Sequence, residues 1–557
     1  MGPRCITVDD AAAPQVESRP SEVAPVTGAG RYANELRRGL GGRRFVASIE
    51  FVTPPASETL EDGIAPGLEL AERVKGDGRF QTIAVTDRVK SDDDHDVVLV
   101  ALRIAEICGK TPTVHLAGKD RDRAWLQYQL RRIAEAGLEN VLMITGDRLK
   151  REPRHRRVRY YDSVDMIAEG RALHPSLHIA AAVSPFKYQE EELMNQYLKM
   201  AKKEWAGADF FITQIGWDML KYKELRAYRH RRGFRAPVIA GVMLLTLARA
   251  RYIRANGIAG IIVTGELMAR LEAEAATSDR GVGSAYRRLA LQIVGLKRLG
   301  YAGFQLTGIH HFDKLERLMA LIDVLERQLP DEATWWSAWW DVMREPEGGR
   351  PLAAPPGAFY LFPEISEPDG FGLPLDRLTL RDPAVVAPAA EYRTYRILDG
   401  VDRLVFKKGS VGARMLAPFA RLVRPGSLAE RGLHWLERRV KEPIVGCETC
   451  GFCRLPYTMY VCPETCPKGL SNGACGGTSG NTCEFGDREC IHNRIYRLAK
   501  AAGRLDELER QRIPQVAPAK RDTCSWTNHF RGEDPPIVRL ETLARIGRRS
   551  HADQGRP

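Results

Sequence analysis

The sequence predicts an α/β fold, a (β/α)8 TIM barrel followed by a smaller cysteine-rich metal-binding domain. Three observations lead there. Eight strand-like runs (45–52, 82–86, 113–117, 141–145, 178–183, 210–215, 238–244 and 303–307) are separated by helical stretches such as 123–135, 190–205 and 285–298, the alternation of a closed parallel barrel. Several of the runs end in polar residues, as strands do at the C-terminal rim of such a barrel. Eight of the 11 cysteines lie between Cys447 and Cys490. An open doubly wound sheet is the competing fold, but its glycine fingerprint is missing, since Gly281-Val282-Gly283 follows no strand.

The 557 residues suit several domains of roughly 150 residues each. The expected divisions are a disordered lead-in over 1–43, the barrel over 44–330, a Trp-rich helix with a Pro/Gly linker over 331–357, a cysteine-rich domain over 358–530 and a tail over 531–557. Residues 1–30 are rich in Ala, Pro and acids and lack an apolar signal core. No apolar run approaches the roughly 18 residues a membrane span needs. A cytoplasmic protein that binds no membrane is the expectation. The net charge of +12 fits an anionic ligand or simply a basic protein. With no nucleic-acid-binding signature, nucleic acid is not expected as a partner.

The first run, Arg-Phe-Val-Ala-Ser-Ile-Glu-Phe-Val-Thr-Pro-Pro, is rich in β-formers and stopped by Pro54 and Pro55. Glu50 lies late in it, and a carboxylate there is costly to bury without partners or a task. The other strand ends offer Thr86 with Asp87, His115, Thr145 with Asp147, Ser184, Gln214 and Gln305. Any one of these is accounted for by a structural hydrogen bond; a ring of them points to a site.

Two basic runs separate by the same logic. Residues 150–159 leave the fourth strand at the rim, where they suit phosphates or carboxylates. Residues 226–235 fall at the opposite face and read as solvated surface. Trp335, Trp336, Trp339 and Trp340 pair along one helix at i,i+4 spacing, which predicts a buried seam between domains.

The cysteines read Cys447-x2-Cys450-x2-Cys453, then Cys462-Pro463, Cys466-Pro467, Cys475, Cys483 and Cys490. Without a secretory signal this is metal binding rather than disulfide bonding. Three thiolates at that spacing suit a [4Fe–4S] cluster, zinc held by four thiolates is the alternative, and eight thiolates are enough for two sites. His492 reads as a surface residue near a helix start.

Short motifs in a fixed order then resemble a known family. Ser48-Ile49-Glu50-Phe51 with Pro54-Pro55, Ala84-Val85-Thr86, His115-Leu116, Leu142-Met143-Ile144-Thr145-Gly146-Asp147 and Ala206-Gly207-Ala208-Asp209 with Ile212-Thr213-Gln214 are similar to methylenetetrahydrofolate reductase. The stretch from Phe359 to Asn528 resembles the cysteine-rich accessory subunit of acetogen-type reductases, so two units look fused in one chain.

The resemblance implies a flavin, FAD or alternatively FMN, across the C-terminal rim, with hydride passing from NAD(P)H to flavin N5 and then to the methylene of 5,10-methylenetetrahydrofolate. It makes Glu50 the general acid, Asp147 the acid beside flavin and pterin, and Gln214 a pterin contact. Thr86, His115, Ile144, Thr145, Gly146, Asp147, Tyr161, Ser184 and Lys203 fall at flavin-contact positions. Thr145 stands where bacterial reductases often have Arg, His311 stands near their folate-binding Arg, and 184–189 lacks their usual His. A protein electron donor acting through the cysteine domain is the alternative to NAD(P)H. The same chemistry run oxidatively, a non-catalytic electron-transfer subunit and a homo-oligomer are further readings the resemblance leaves open.

Overall fold

The computed structural model of the protein describes residues 30–89, 91–150, 160–309, 311–345, 349–362 and 385–540. Most of the expected lead-in, residues 151–159 of the first basic run and the tail beyond 540 lie outside the described residues.

Eight parallel strands close into a barrel: β1 (Val46–Val52), β2 (Thr82–Thr86), β3 (Thr113–Ala117), β4 (Asn140–Ile144), β5 (His178–Val183), β6 (Phe210–Thr213), β7 (Val238–Met243) and β8 (Gly303–Thr307). Ser48 pairs with Thr82 on one side and with Gln305 on the other, so β1 seals the ring. Alternation does the sorting. Ile49 and Phe51 belong to the main core shared with the helices, whereas Glu50, on the opposite face of β1, accepts a hydrogen bond from Gln305 of the neighbouring strand β8. Strands β4, β6 and β7 stop one or two residues earlier than the sequence pattern indicates, which leaves Thr145 and Gln214 in the loops just beyond them. Asp96, Asp122, Asp162 and Asp218 cap the helices that follow β2, β3, β4 and β6, each accepting from a backbone N–H of the first turn.

Three expectations change. Part of the lead-in is structured: helix Glu35–Gly41, capped by Asn34, places Leu36 and Leu40 against Val46, Leu142, Phe210 and Ile239 inside the barrel. Burying those two leucines gives the segment a reason to order. The Trp-rich helix Glu332–Met343 is no seam between domains. It packs on helix Val282–Arg298 of the barrel's own outer layer, where the Trp335 indole donates to the Leu291 carbonyl at 2.7 Å. A Cβ at Gly295 would come within 1.9 Å of that indole ring, so glycine is what lets it in. Finally, the linker and the first residues assigned to the cysteine domain form a strap on the barrel. Leu352, Ala353, Ala354, Tyr360, Leu361 and Phe362 are buried in the barrel core, and the Tyr360 hydroxyl donates to Asp218 at 2.7 Å.

Residues 385–540 form the second lobe. Helices Ile491–Ala501 and Leu505–Arg510 lie along barrel helix Glu190–Ala206, with the Tyr496 hydroxyl on Glu190 at 2.8 Å. The second basic run takes part in this contact instead of being wholly solvated, because Arg232 pairs with the buried Glu509.

Candidate active site

Glu50 lies in the mouth of the barrel. Gln305 donates to its carboxylate at 3.2 Å, and the Thr307 side chain also bonds it. Desolvation outweighs both bonds and pushes the carboxyl up from 4.5 to about 7. Such a group still carries a proton near neutral pH, as a general acid must.

Around it the rim presents polar atoms without partners. Among the described residues, Thr86 Oγ1, His115 Nε2, Ser184 Oγ and Gln196 Nε2 are buried and unbonded. Burial also holds the His115 ring down to about 4, so the imidazole is neutral. Buried polar atoms are rarely left unpaired unless something else satisfies them. Gly146, at φ +86°, is crowded by the Lys119 side chain 3.2 Å from where its Cβ would be. Asp147 beside it keeps accessible surface. Even so, desolvation raises its carboxyl, Glu484 adds to the rise, and Lys468 opposes it.

Other expected residues are placed differently. The Thr145 hydroxyl accepts from the Ser163 N–H at 3.3 Å, so it serves the helix that follows. Gln214 is tied at both ends, donating to the Ala259 carbonyl and accepting from the Ile215 N–H, each at 2.9 Å. Tyr161 packs in the layer between strands and helices, with Asp165, Glu169 and Arg123 as its charged neighbours. Lys203 is buried with its Nζ on the Ala182 carbonyl, and burial lowers it to about 7. Ile144 is half-buried and packs on the interior cluster.

The cysteine lobe covers one side of the mouth. Lys468 donates to the Gly146 carbonyl at 2.8 Å and pairs with Glu484, which also accepts from the Arg148 N–H. Lys187 holds the carbonyl of Gly476 at 2.7 Å. The Gly476 carbonyl in turn lies 3.0 Å from where a Cβ of Gly260 would sit, with Gln214 Nε2 3.5 Å from the same point. Nothing in the sequence singles out Lys468, Glu484 or Lys187, because their partners are more than 300 residues away or on another element.

The eight cysteines divide into two quartets. Cys447, Cys450, Cys453 and Cys462 line one pocket with Glu437 and Lys441, and Lys441 Nζ is 3.5 Å from Cys453 Sγ. Cys466, Cys475, Cys483 and Cys490 form the other, each close enough to others of the set to influence their titration. Burial, with help from the neighbouring thiols, pushes Cys462 and Cys490 up to about 12. A bound metal would keep such thiols deprotonated. Among the described residues no three His, Cys, Asp or Glu side chains converge on the position of a single ion. His492 is buried rather than on the surface, its ring held down to about 3 first by desolvation and then by Lys199. It faces the barrel helix against which its own helix packs.

Across the mouth, beyond β7 and β8, a cavity of about 650 Å³ is lined by Thr246, Arg249, Tyr286, His311, Lys314 and Arg317 among others. The sequence flagged only His311 of these.

Comparison with known proteins agrees with this arrangement. A family model for methylenetetrahydrofolate reductase matches residues 35–327, the floor helix and the whole barrel. A second, described as methylene-tetrahydrofolate reductase C terminal, matches residues 428–517, which hold both quartets. No curated protein matches the chain. Among solved structures, an uncharacterized protein from Clostridium thermocellum that binds two copies of 5-methyl-5,6,7,8-tetrahydrofolic acid is 12% identical, with a TM-score of 0.41 over 53% of this chain and 99% of that one. Oxaloacetate acetylhydrolase in complex with 3,3-difluorooxalacetate is 10% identical, with a TM-score of 0.32 over 55% of this chain and 93% of that one. Likenesses this remote carry no weight on ligand or chemistry, whereas the family match spans more than half the chain and includes the strand that bears Glu50. On that ground the chain belongs to the methylenetetrahydrofolate reductase family.

Proposed function

We propose that this chain reduces 5,10-methylenetetrahydrofolate to 5-methyltetrahydrofolate at the mouth of the barrel, using a flavin. The observation that carries the reading is Glu50, a carboxyl poised near neutrality among otherwise apolar strand residues. It delivers a proton to the bridging nitrogen of the folate, which opens the ring to the reactive iminium. Asp147 and Gln214 bind the pterin, Gln214 after exchanging its present backbone partners for ligand. The basic cavity beside β8 suits the acidic tail of the folate.

The unpartnered Thr86, His115 and Ser184 atoms and the tight backbone at Gly146 fit a flavin ring, with Ile144 against it. When bound, the flavin supplies hydride transfer to the methylene carbon. Tyr161 and Lys203, two further flavin-contact positions the resemblance implies, are both enclosed. That enclosure favours FMN over FAD, and the flavin released by denaturation identifies which is present.

Both quartets fit iron–sulfur clusters. The Cys447 quartet lines a pocket and its side chains do not converge on the position of one ion, which suits a multi-iron cluster better than one zinc ion, whose four bonds of about 2.3 Å draw sulfurs to a point. The Cys466 quartet adjoins the mouth through Cys475 and Gly476, and so is the one to exchange electrons with the flavin. NAD(P)H is the alternative donor. The oxidative direction uses the same groups.

The test is Glu50→Gln in anaerobically purified protein. Folate turnover is expected to disappear while the flavin still accepts electrons. Undiminished folate turnover would remove Glu50 from its role.

A further inference from the structure

Helices Val411–Leu422 and Leu428–Val445 both rest on the short helix Ser525–Arg531, the first also on the turn Asp402–Phe406, and each turns another side to solvent. Large apolar side chains stand exposed on them: Phe419 at 70%, Trp435 at 62%, and also Leu422, Leu436 and Val440. An apolar surface of this kind marks an interaction site. Its charge is one-sided. Arg421, Arg424, Arg431, Arg438 and Arg439 are exposed. The acids of the second helix are mostly turned away, Glu430 to Arg531 and Glu437 to Lys441. Glu442 is the exposed one, and it is paired with Arg438.

The second helix also borders a cysteine quartet. Glu437, Lys441 and Val445 line the pocket of Cys447, Cys450, Cys453 and Cys462. Leu436, Val440 and Ile444 each precede one of these by a single residue, about 100° round the helix. The exposed stripe therefore flanks the quartet that lies away from the barrel mouth.

We propose that this basic and apolar face docks a small acidic electron-carrier protein, which reduces the centre held by Cys447, Cys450, Cys453 and Cys462 one electron at a time. The proposal rests on the iron–sulfur reading above. Opposite charge favours that occupant over a second copy of this chain, whose arginines would face their own kind across a two-fold axis. Adjacency to the quartet favours it over a lipid surface. The electrons balance. Two carriers each lose one electron, and solvent supplies two protons. In the folate one N–C bond breaks while one C–H and one N–H bond form.

The full-length, iron-loaded chain is titrated anaerobically with an acidic ferredoxin carrying [4Fe–4S] clusters, at low and at high salt, and cluster bleaching is followed in stopped flow. Binding that weakens with salt, and weakens at least about tenfold in the double variant Arg438→Glu, Arg439→Glu, with a matching fall in the bleaching rate, supports the proposal. Trp435→Asp tests the apolar part. Arg421→Glu serves if either variant fails to retain iron. Ferredoxin binding and bleaching that ignore these changes overturn the proposal alone. So does a dimer that the same changes split, or binding to anionic phospholipid vesicles in place of ferredoxin. Quartets filled only with zinc overturn the iron–sulfur reading and this proposal with it.

Discussion

Glu50→Gln should alter stability as well as chemistry, and the sign follows from the raised carboxyl. Glu50 titrates at about 7 in the folded chain against 4.5 for an ordinary glutamate. A raised folded value contributes stability that is fully present below about 4.5 and is lost as pH rises through about 7. Each pKa unit corresponds to about 1.4 kcal/mol, so the full window is worth about 3 kcal/mol. Glutamine carries no charge at any pH and keeps a similar shape. The variant's advantage over the parent should therefore be under about 1 kcal/mol at pH 5 and grow to about 3 kcal/mol at pH 8. Thermal midpoints of parent and variant, measured in parallel every half pH unit, should diverge by several degrees, at roughly 2–4 °C per kcal/mol for a domain of this size. Folate turnover by the parent should fall above pH 7 as the proton is lost. A stability difference that stays flat from pH 5 to pH 8 would show that Glu50 ionises as an ordinary carboxylate, and the general-acid argument would fail with it.

Lys468→Met strips Glu484 of its partner in a buried pair. The expected cost is about 3–5 kcal/mol, read as faster amide exchange over 473–484 and weaker flavin retention, with the barrel's own exchange unchanged. Trp335→Ala removes a fully buried indole and its bond to Leu291 and should destabilise the barrel by about 3–5 kcal/mol without changing iron content, as seen by thermal unfolding and metal analysis. Stripping metal with a chelator at neutral pH should reprotonate the thiols, which burial holds well above that pH, and should loosen the second lobe while the barrel's circular dichroism persists.

The barrel was legible because strand periodicity and helix caps are local. Each of Asp96, Asp122, Asp162 and Asp218 sits a residue or two before its helical run, and a reader of the sequence can find it there. Glu50 was legible too, since a lone acid in an apolar strand stands out. The floor helix was missed because its two leucines are spaced for burial only once a barrel exists beneath them. The strap was missed because Pro and Gly over 346–357 look like a linker, while the residues that decide, Tyr360, Leu361 and Phe362, follow it. Gln214 and Thr145 were found, but not their present partners: the Ala259 carbonyl and the adjacent Ile215 N–H for Gln214, and the Ser163 N–H at the start of the next helix for Thr145. The lobe's grip on Gly146 through Lys468 spans 322 positions and leaves no periodic trace.

Leu36 and Leu40 pack hydrocarbon into the lower end of the barrel, which leaves the mouth as the approach to Glu50. Substrate and solvent must share one doorway. Once the pterin fills it, the carboxyl can release only the proton it already holds and must wait for product to leave before taking up another. The rate of a single turnover, started from a folate complex formed in deuterated buffer and diluted into light water, should therefore still show the isotope effect of the deuteron that Glu50 held when the folate bound.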